Sequence, residues 1–494
     1  MNVKGKLDIL RIEKRAFIDG KYVWAKKENV IHKISSIDGT DITGIAACDT
    51  EDINQAVVAA KTAYDDGRWT KLVPEQRKHI LLKLADLMEE NKEELALLDT
   101  YETGRAYNNY YKDSIPKAIS LVRYFAESID KYYDVSIPPR GSEFGIITRI
   151  PLGVVGLITP WNDPLVVASW KFAPALLMGN TVVIKPAEQS SLSMIKVASL
   201  AQEAGIPDGV FNVVPGYGET AGKALALHPD VRGIFFTGSS EIGKLIIQYS
   251  GQSNMKKIGL ECGGKSPYIV TKNCKDLKNA AIVLADNMFY NQGQICSAPS
   301  RVIIDESVAD QFIFFLKEEC ERYVPGDPFE SDNRVGSVVS REQYEKIQSY
   351  IQNARERGIE IYQAQTQKPH SEWACCIQPT LLLNVSNDDV VAREEIFGPV
   401  VVIIRVSSTE EAVKVANDTK YGLAGAVWTN DLDEAYYVTR NLEAGLVHVN
   451  SYGNDDNSAP FGGVKESGIG KDKSMYSFDE YSNLKTIWMH FEQK

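Results

Sequence analysis

The sequence predicts an α/β protein with two domains, each built on a parallel β-sheet. The chain has 494 residues, enough for two to three domains with cores of their own. Short apolar runs alternate with helix-like segments of about 20 residues, in two successive series, which is typical of repeated βαβ units. The residues are 44% hydrophobic and 24% charged, as in ordinary globular proteins.

Charge and composition exclude several classes of partner. Lys plus Arg total 54 against 66 for Asp plus Glu, a net charge of −12, so counterion release cannot drive general nucleic-acid binding. No stretch reaches about 18 uninterrupted apolar residues, so we expect no membrane span. Seven cysteines without C-x-x-C spacing, and an N-terminus without a signal-peptide pattern, predict reduced thiols and a cytoplasmic location. The six scattered histidines predict no catalytic metal.

The predicted elements begin with two amphipathic helices, over 50–66 and over 74–98, the second of which starts at Pro74. The first strand series then follows. Its strands are predicted at 153–158, 181–185, 210–214, 233–236 and 256–260. In a sheet of this kind, ligands are expected at the carboxyl ends of the strands.

A second series starts after about residue 265. It consists of PYIV, a helix to about 290, RVIID, a long helical stretch to 357, TLLLNV, PVVVIIRV, GAVW and GLVHVN. Ser408 and Glu411 form a predicted capping box between two of these strands.

Two further strands are predicted outside the series. EFGIITRI (143–150) follows a Pro138-Pro139-Arg140-Gly141 break and is predicted to be an isolated strand. NLKTIWMHF (483–491) has apolar residues on both faces. It is a candidate for pairing across a subunit interface, or for docking within its own domain.

Three residues are candidates for catalysis. Cys296 lies in the polar, irregular stretch FYNQGQICSAPSR, unlike an inert cysteine in an apolar run. Glu261 ends a predicted buried strand, where loss of solvent raises the pKa of a carboxyl group into the range of a general base. Asn162 follows the first strand of the series and can donate a hydrogen bond to an oxyanion. Each also has an ordinary alternative: an inert thiol, a salt bridge or helix cap, and a turn residue.

Nine ordered motifs resemble those of the aldehyde dehydrogenase superfamily, over nearly the whole chain from about 15 to 490. They are TPWN, KPAE, FTGSSEIG, LECGGK, NQGQIC, EEIFGPV, N-x-x-x-YGLA, GLVHVN and PFGGVKESGIG. The resemblance implies a modified Rossmann cofactor domain (1–131 and 151–263), a catalytic domain (264–470) and a small β oligomerisation arm (132–150 and 471–494). It also implies a homodimer or homotetramer.

The resemblance assigns roles to the candidates. Cys296 is the implied nucleophile, Glu261 the base, and Asn162 with the backbone N–H of Cys296 the oxyanion hole. The expected cofactor is NAD, with NADP possible. The implied cofactor-binding residues are Trp161, Lys185, Glu188, Gly238, Ser239, Glu395 and Phe397. Glu188 favours NAD, because its carboxylate would repel a 2′-phosphate.

Within the superfamily the chain is most similar to γ-glutamyl-γ-aminobutyraldehyde and ω-aminoaldehyde dehydrogenases of polyamine catabolism. The implied substrate pocket is lined by Val167, Trp170, Tyr290, Ile295, Ser297, Asp455, Asp456 and Phe461. Cys262 stands where the family usually has Leu, and Asp163 where aromatic residues are common. Open alternatives are another aliphatic or aromatic aldehyde, a CoA-acylating relative, a descendant without catalysis, and a thiol esterase activity of Cys296.

Overall fold

The computed structural model describes residues 3–7, 9–330, 333–365, 371–454 and 456–492. The helices in these ranges are α1 Val3–Leu7, α2 Thr50–Asp65, α3 Pro74–Glu90, α4 Lys92–Thr103, α5 Tyr107–Asn109, α6 Ile115–Ser128, α7 Pro164–Leu177, α8 Leu192–Ala204, α9 Lys223–Leu227, α10 Ser240–Gln252, α11 Leu277–Phe289, α12 Glu306–Cys320, α13 Arg341–Glu356, α14 Val390–Arg393, α15 Thr409–Asn417, α16 Leu432–Asn441 and α17 Ser477–Glu480. Among these described residues, no helix is both long and apolar enough to cross a bilayer.

The strands in the same ranges are β1 Ala16–Ile18, β2 Lys21–Val23, β3 Val30–Ile31, β4 Ile45–Ala46, β5 Val135–Arg140, β6 Glu143–Pro151, β7 Val154–Ile158, β8 Thr181–Lys185, β9 Phe211–Val213, β10 Val231–Thr237, β11 Lys257–Glu261, β12 Pro267–Val270, β13 Arg301–Asp305, β14 Glu360–Gln363, β15 Thr380–Leu383, β16 Val400–Val406, β17 Ala424–Trp428, β18 Leu446–Val449, β19 Gly468–Ile469 and β20 Ser482–His490. They form two large sheets, one three-stranded sheet and the two-stranded β3–β4 sheet.

The first large sheet has the order β19-β11-β10-β7-β8-β9-β1-β2. Its five central strands, β11, β10, β7, β8 and β9, run parallel, and the outer strands β19, β1 and β2 are antiparallel. Strands β7 and β8 are buried along their whole length, as expected of parallel strands that are covered on both faces. The parallel arrangement predicted from the first series is confirmed, and the antiparallel edges are additions to it.

The second sheet has the order β14-β15-β16-β13-β12-β17-β18. Six of its strands are parallel, and only the edge strand β14 is antiparallel in this part of the structure. The two large sheets are therefore mainly parallel, which confirms the predicted α/β class.

The third sheet has the order β20-β6-β5, with antiparallel pairing throughout. The prediction of an isolated strand over 143–150 is therefore wrong, because β6 is the central strand of this sheet. The C-terminal strand β20 pairs with β6 of its own chain over nine residue pairs, from Ser482 with Pro151 to His490 with Glu143. Residues of β20 remain exposed on both faces of this sheet, Leu484 and Trp488 on one face and Ile487 on the other.

Two predicted helices differ in extent from the observed ones. The helix predicted over 74–98 is broken at Asn91, whose side-chain amide and backbone N–H both donate to the Leu87 carbonyl oxygen; asparagine commonly competes with the helix ladder in this way. The stretch predicted to be helical up to 357 is divided between α12 and α13. The loop between them contains Pro325-Gly326-Asp327-Pro328, which a helix cannot continue through.

The capping box predicted at the start of α15 is half formed. The Ser408 hydroxyl accepts a hydrogen bond from the Glu411 backbone N–H at 3.2 Å, as predicted. The Glu411 carboxylate, however, accepts the backbone N–H of Ser407 at 2.8 Å. The Ser407 hydroxyl also donates to the Glu411 carboxylate, at 2.7 Å. Ser407 therefore replaces the Ser408 backbone N–H, which is the donor to this carboxylate in a full capping box.

Candidate active site

A cavity of about 570 Å³ lies at the carboxyl edge of the first sheet. Its walls include the ends of β7, β10 and β11 and, from the second half of the chain, the loop between α11 and β13. Such an edge is where open parallel sheets bind ligands. The loop brings Cys296 to the same cavity as Glu261 and Asn162.

Glu261 is the last residue of β11, and its side chain is buried. Neither carboxylate oxygen has a hydrogen-bond partner among the described residues. Burial raises the pKa of Glu261 well above its ordinary value, and the nearby Asp472 raises it further, while Lys171 and Lys471 oppose the shift. The shift moves this carboxyl group toward the range in which a general base exchanges protons.

Cys296 lies between α11 and β13, and its thiol lines the cavity. Burial raises its pKa to about 12, and the negative charges of Glu395 and Glu261 contribute further. The thiol is therefore protonated at neutral pH. A base within the cavity has to take its proton before the sulfur can act as a nucleophile.

Asn162 is tied to the loop that carries Cys296. Its side-chain amide donates to the Gln294 carbonyl oxygen at 3.1 Å, and the Asn291 amide donates to the Asn162 carbonyl oxygen at 3.1 Å. An amide nitrogen carries two protons. The second N–H of Asn162 is thus available to a ligand beside Cys296, as an oxyanion donor has to be.

Five of the seven residues predicted to bind the cofactor line the same cavity. These are Trp161, Gly238, Ser239, Glu395 and Phe397. Ser239 is the N-cap of the 13-residue helix α10 and accepts the Ile242 N–H at 3.3 Å, so the positive end of that helix dipole faces the cavity.

Glu395 accepts the Gly264 N–H at 3.0 Å. Burial raises its pKa to about 7. A Cβ atom at Gly263 would lie 2.1 Å from the Glu395 carboxylate, so only glycine permits this approach. Phe397 has a φ of 55° and meets Trp161 edge to face, with 5.3 Å between the ring centroids. An aromatic residue held at positive φ is strained, which is common where a ligand is bound.

Lys185 and Glu188 do not line this cavity. Lys185 ends β8, next to β7, and its ammonium lies 3.1 Å from the Glu188 carboxylate. Burial lowers the pKa of Lys185. The pair therefore lies at the same edge of the sheet, outside the described cavity.

Most of the predicted substrate pocket is brought together. Val167, Trp170, Tyr290, Ile295, Ser297 and Phe461 all line the cavity. The Trp170 and Phe461 rings stack with 5.3 Å between centroids. Asp456 is exposed and does not line the cavity; its carboxylate accepts the Ser458 N–H at 2.7 Å and hydroxyl at 2.6 Å. Asp455 lies outside the described residues.

Several lining residues were not predicted from the sequence. Arg105, Asp113, Ser114, Lys117, His448 and Tyr452 belong to this group. The two unusual positions, Cys262 and Asp163, also line the cavity. Burial raises the pKa of Cys262 to about 12, so it adds a second protonated thiol. Within the described ranges, no three His, Cys, Asp or Glu side chains are placed to hold a metal ion.

Two parallel-sheet units that share a cavity containing a thiol, a carboxyl group and an amide define an α/β enzyme with a buried thiol site. The model of the aldehyde dehydrogenase family matches residues 22–487. The chain is 42% identical over 483 residues to the NADP/NAD-dependent aldehyde dehydrogenase PuuC of Escherichia coli K12, covering 98% of this chain and 97% of that one. The chain belongs to the aldehyde dehydrogenase family.

Two solved structures are similar over the whole fold. A γ-glutamyl-γ-aminobutyraldehyde dehydrogenase from Burkholderia cenocepacia is 44% identical, with a TM-score of 0.96 over 99% of this chain and 100% of that one. A mutant of the indole-3-acetaldehyde dehydrogenase AldA of P. syringae, in complex with NAD+ and IAA, is 43% identical, with a TM-score of 0.97 over 99% of both chains.

Proposed function

We propose that this protein oxidises an aldehyde to a carboxylic acid with NAD(P)+, through a thiohemiacetal and a thioester on Cys296. The observation that supports it most is the convergence of Cys296, Glu261 and Asn162 on one cavity. An aldehyde carbon has no leaving group, and addition of the thiolate produces an alkoxide that can expel hydride. When bound, the nicotinamide cofactor accepts that hydride.

The chain's own groups supply the remaining steps. The Cys296 proton passes to a base in the cavity, and the sulfur bonds to the aldehyde carbon. Asn162 and the Cys296 backbone N–H hold the resulting oxyanion, where one such donor contributes about 10²- to 10³-fold to the rate. Glu261 then takes a proton from water as that water attacks the thioester. The C–S bond breaks, and the thiol and the acid are released.

The residues at the cofactor side fit a dinucleotide. The N-terminus of α10 at Ser239 suits a pyrophosphate, and the Glu395 carboxyl group suits a ribose hydroxyl. Trp161 and Phe397 would flank the nicotinamide ring. Lys185 and Glu188 would hold the adenosine ribose, and the Glu188 carboxylate favours NAD over NADP. The names of PuuC and the NAD+ complex of AldA are consistent with this assignment.

The substrate we propose is an ω-aminoaldehyde or a γ-glutamylaminobutyraldehyde-type aldehyde, as the sequence motifs imply. The Burkholderia relative is named for γ-glutamyl-γ-aminobutyraldehyde. A second candidate is an aromatic aldehyde, because Trp170 and Phe461 stack in the pocket and AldA is named for an indole aldehyde. Retention of Glu261 favours hydrolysis over transfer of the thioester to CoA. The seven free thiols support a reducing, cytoplasmic location.

The test is NADH formation with a panel of ω-aminoaldehydes, γ-glutamylaminobutyraldehyde, n-alkanals and indole-3-acetaldehyde, with NAD+ and NADP+ compared. The Cys296→Ala variant should lose turnover by about 10³-fold or more, whereas Cys320→Ala, at a buried thiol far along α12, should not. Absence of reduced cofactor with every aldehyde overturns the proposal. Activity that requires added CoA would favour the acylating alternative.

The domain division is proposed as the resemblance implies it, with the third sheet as an oligomerisation arm. Leu484 and Trp488 on this sheet, and Phe491 directly after β20, are more than half exposed. An exposed apolar surface of this kind marks a contact between chains. We therefore propose a homodimer or homotetramer. Light scattering after size exclusion should show a lower mass for Leu484→Glu with Trp488→Glu than for the wild type. A monomeric wild-type protein would contradict the proposal.

A further inference from the structure

Ser467 joins the carboxyl edge of the first sheet to the second sheet. The residue is fully buried and directly precedes β19, the strand that pairs with β11. Its hydroxyl oxygen accepts the N–H of Gly422, just before β17, at 2.9 Å. The hydroxyl proton is directed to the carbonyl oxygen of Gly263, just after β11, at 2.7 Å. Both hydrogen-bonding functions of this side chain are therefore in use.

The carbonyl group that Ser467 holds belongs to the peptide unit between Gly263 and Gly264. The N–H of the same peptide unit donates to the Glu395 carboxylate at 3.0 Å. A trans peptide unit is planar, and its C=O and N–H point in opposite directions. Ser467 therefore holds one side of the unit while Glu395 binds the other, and rotation of the unit would break both hydrogen bonds.

Close packing requires glycine on both sides of this peptide unit. A Cβ atom at Gly263 would lie 2.1 Å from the Glu395 carboxylate, and a Cβ atom at Gly264 would lie 2.5 Å from the Cys296 carbonyl oxygen. Glycine allows the widest range of backbone angles, so the two residues themselves resist rotation of the unit only weakly. The Ser467 hydroxyl supplies the restraint that the glycines lack.

We propose that Ser467 is a positioning residue for the cofactor, which orients the Gly264 N–H and, through it, the Glu395 carboxylate. The inference rests on the proposed function, in which Glu395 binds a ribose hydroxyl, and it adds a residue to that site. Glu395 is half-buried, and a ribose bound to it is well placed only if the carboxylate keeps one orientation. Loss of the Ser467 hydroxyl leaves the Gly263 carbonyl oxygen without its donor and allows the peptide unit to turn.

The backbone of Ser467 makes a separate contact with the same turn. Its carbonyl oxygen accepts the Cys262 N–H, next to Glu261, at 2.8 Å. An alanine at position 467 keeps this hydrogen bond, because the bond uses no side-chain atom. Removal of the hydroxyl should therefore disturb the Glu395 side of the turn and leave Glu261 in place.

The test compares NAD+ binding, measured by calorimetry, with hydrolysis of p-nitrophenyl acetate in the absence of cofactor. The ester reaction reports the thiol of Cys296 and the base Glu261 without the cofactor site. Ser467→Ala should weaken NAD+ binding about 3- to 10-fold, as expected for the loss of one hydrogen bond. It should slow formation of the first equivalent of NADH about 10-fold, because the nicotinamide is less well placed. Ester hydrolysis should be unchanged.

Ser250→Ala is the matched control. Ser250 is also buried, and its hydroxyl donates to a backbone carbonyl oxygen, that of Lys256, at 2.7 Å. It lies near the C-terminal end of α10 and does not line the cavity. Ser250→Ala should lower the thermal midpoint as Ser467→Ala does, but leave NAD+ binding unchanged. In a Glu395→Ala background, Ser467→Ala should weaken NAD+ binding no further.

Three results overturn the inference: unchanged NAD+ binding in Ser467→Ala, equal losses of NAD+ binding and ester hydrolysis, or a full further loss in the Glu395→Ala background. If Ser467→Ala does not fold, Ser467→Cys takes its place, because a thiol is a weaker hydrogen-bond donor than a hydroxyl. Undiminished NAD+ binding in Ser467→Cys then overturns the inference. The proposed function fails separately, if the wild type forms no NADH with any aldehyde.

Discussion

The cavity has a reaction end beside Cys296 and a tail end beside Arg105. Carboxyl groups at these two ends have opposite environments. At the reaction end, Glu261 is buried and Glu395 is half-buried. Neither forms a salt bridge with any described residue, and loss of solvent raises the pKa of both. At the tail end, Asp163 pairs with Arg105, and Asp113 accepts the Tyr290 hydroxyl. The first environment raises the pKa of its carboxyl groups, and the second places opposite charges side by side.

This contrast follows from what each end has to do under the proposed function. A general base has to gain and lose a proton near neutral pH, which requires removal from solvent without a fixed counter-charge. A site that selects a charged tail has to keep its charges and hold them in position. Variants at the reaction end should therefore affect every aldehyde alike, whereas variants at the tail end should discriminate between them.

Glu261→Gln is expected to have the largest effect. If Glu261 activates the water that hydrolyses the thioester, the variant should still form one equivalent of NADH per active site and then stall. Steady-state turnover should fall by about 10²- to 10⁴-fold, equally for acidic and apolar aldehydes. Stopped-flow absorbance measures both phases. A loss confined to one class of aldehyde would place Glu261 in substrate recognition and remove the contrast between the two ends.

Two variants serve as controls for the rapid formation of the first equivalent of NADH, which we call the burst. Cys296→Ala should show neither the burst nor the slow phase. Cys262→Ala, directly next to Glu261, should keep both phases, because no described contact gives its thiol a part in proton transfer. Undiminished steady-state turnover in Glu261→Gln would contradict the proposed role of the base.

The sequence predicts the reaction end far better than the tail end. Cys296, Glu261 and Asn162 stand in motifs with a fixed order along the chain. The carboxyl edge of the first sheet brings Glu261 and Asn162 together, and Cys296 joins them from the loop between α11 and β13. Lys117 lines the cavity shortly after the π-helical turn Tyr110–Ser114, whose hydrogen bond spans one residue more than that of an α-helix. The apolar periodicity gives no sign of that one-residue change.

The same distinction applies to the fold. Long apolar strands such as β7, β8 and β16 are evident in the sequence because they are buried on both faces. The short strands at the ends of the first sheet, β1, β2 and β19, have two or three residues each, too few for a periodic pattern. The pairing of β20 with β6 joins residues more than 300 positions apart, which no local signal specifies.

Glu395→Gln has the smallest expected effect, and it tests whether ionisation at the reaction end costs stability. The pKa of Glu395 is raised from 4.5 to about 7 in the folded protein. The folded state therefore favours the proton, and stability present below about pH 4.5 is lost as the pH rises through about 7. The full shift corresponds to about 3 kcal/mol.

Glu395→Gln removes this loss. The gap in thermal midpoint between the cofactor-free variant and the cofactor-free wild type should therefore widen by a few degrees, in favour of the variant, from pH 5 to pH 8. Differential scanning fluorimetry at both pH values measures the gap, and Glu219→Gln, at an exposed carboxylate, is the matched control. A gap that does not widen with pH would show that the Glu395 carboxylate is stabilised in the cavity. The reaction end would then resemble the tail end, because its charge would be compensated without a ligand.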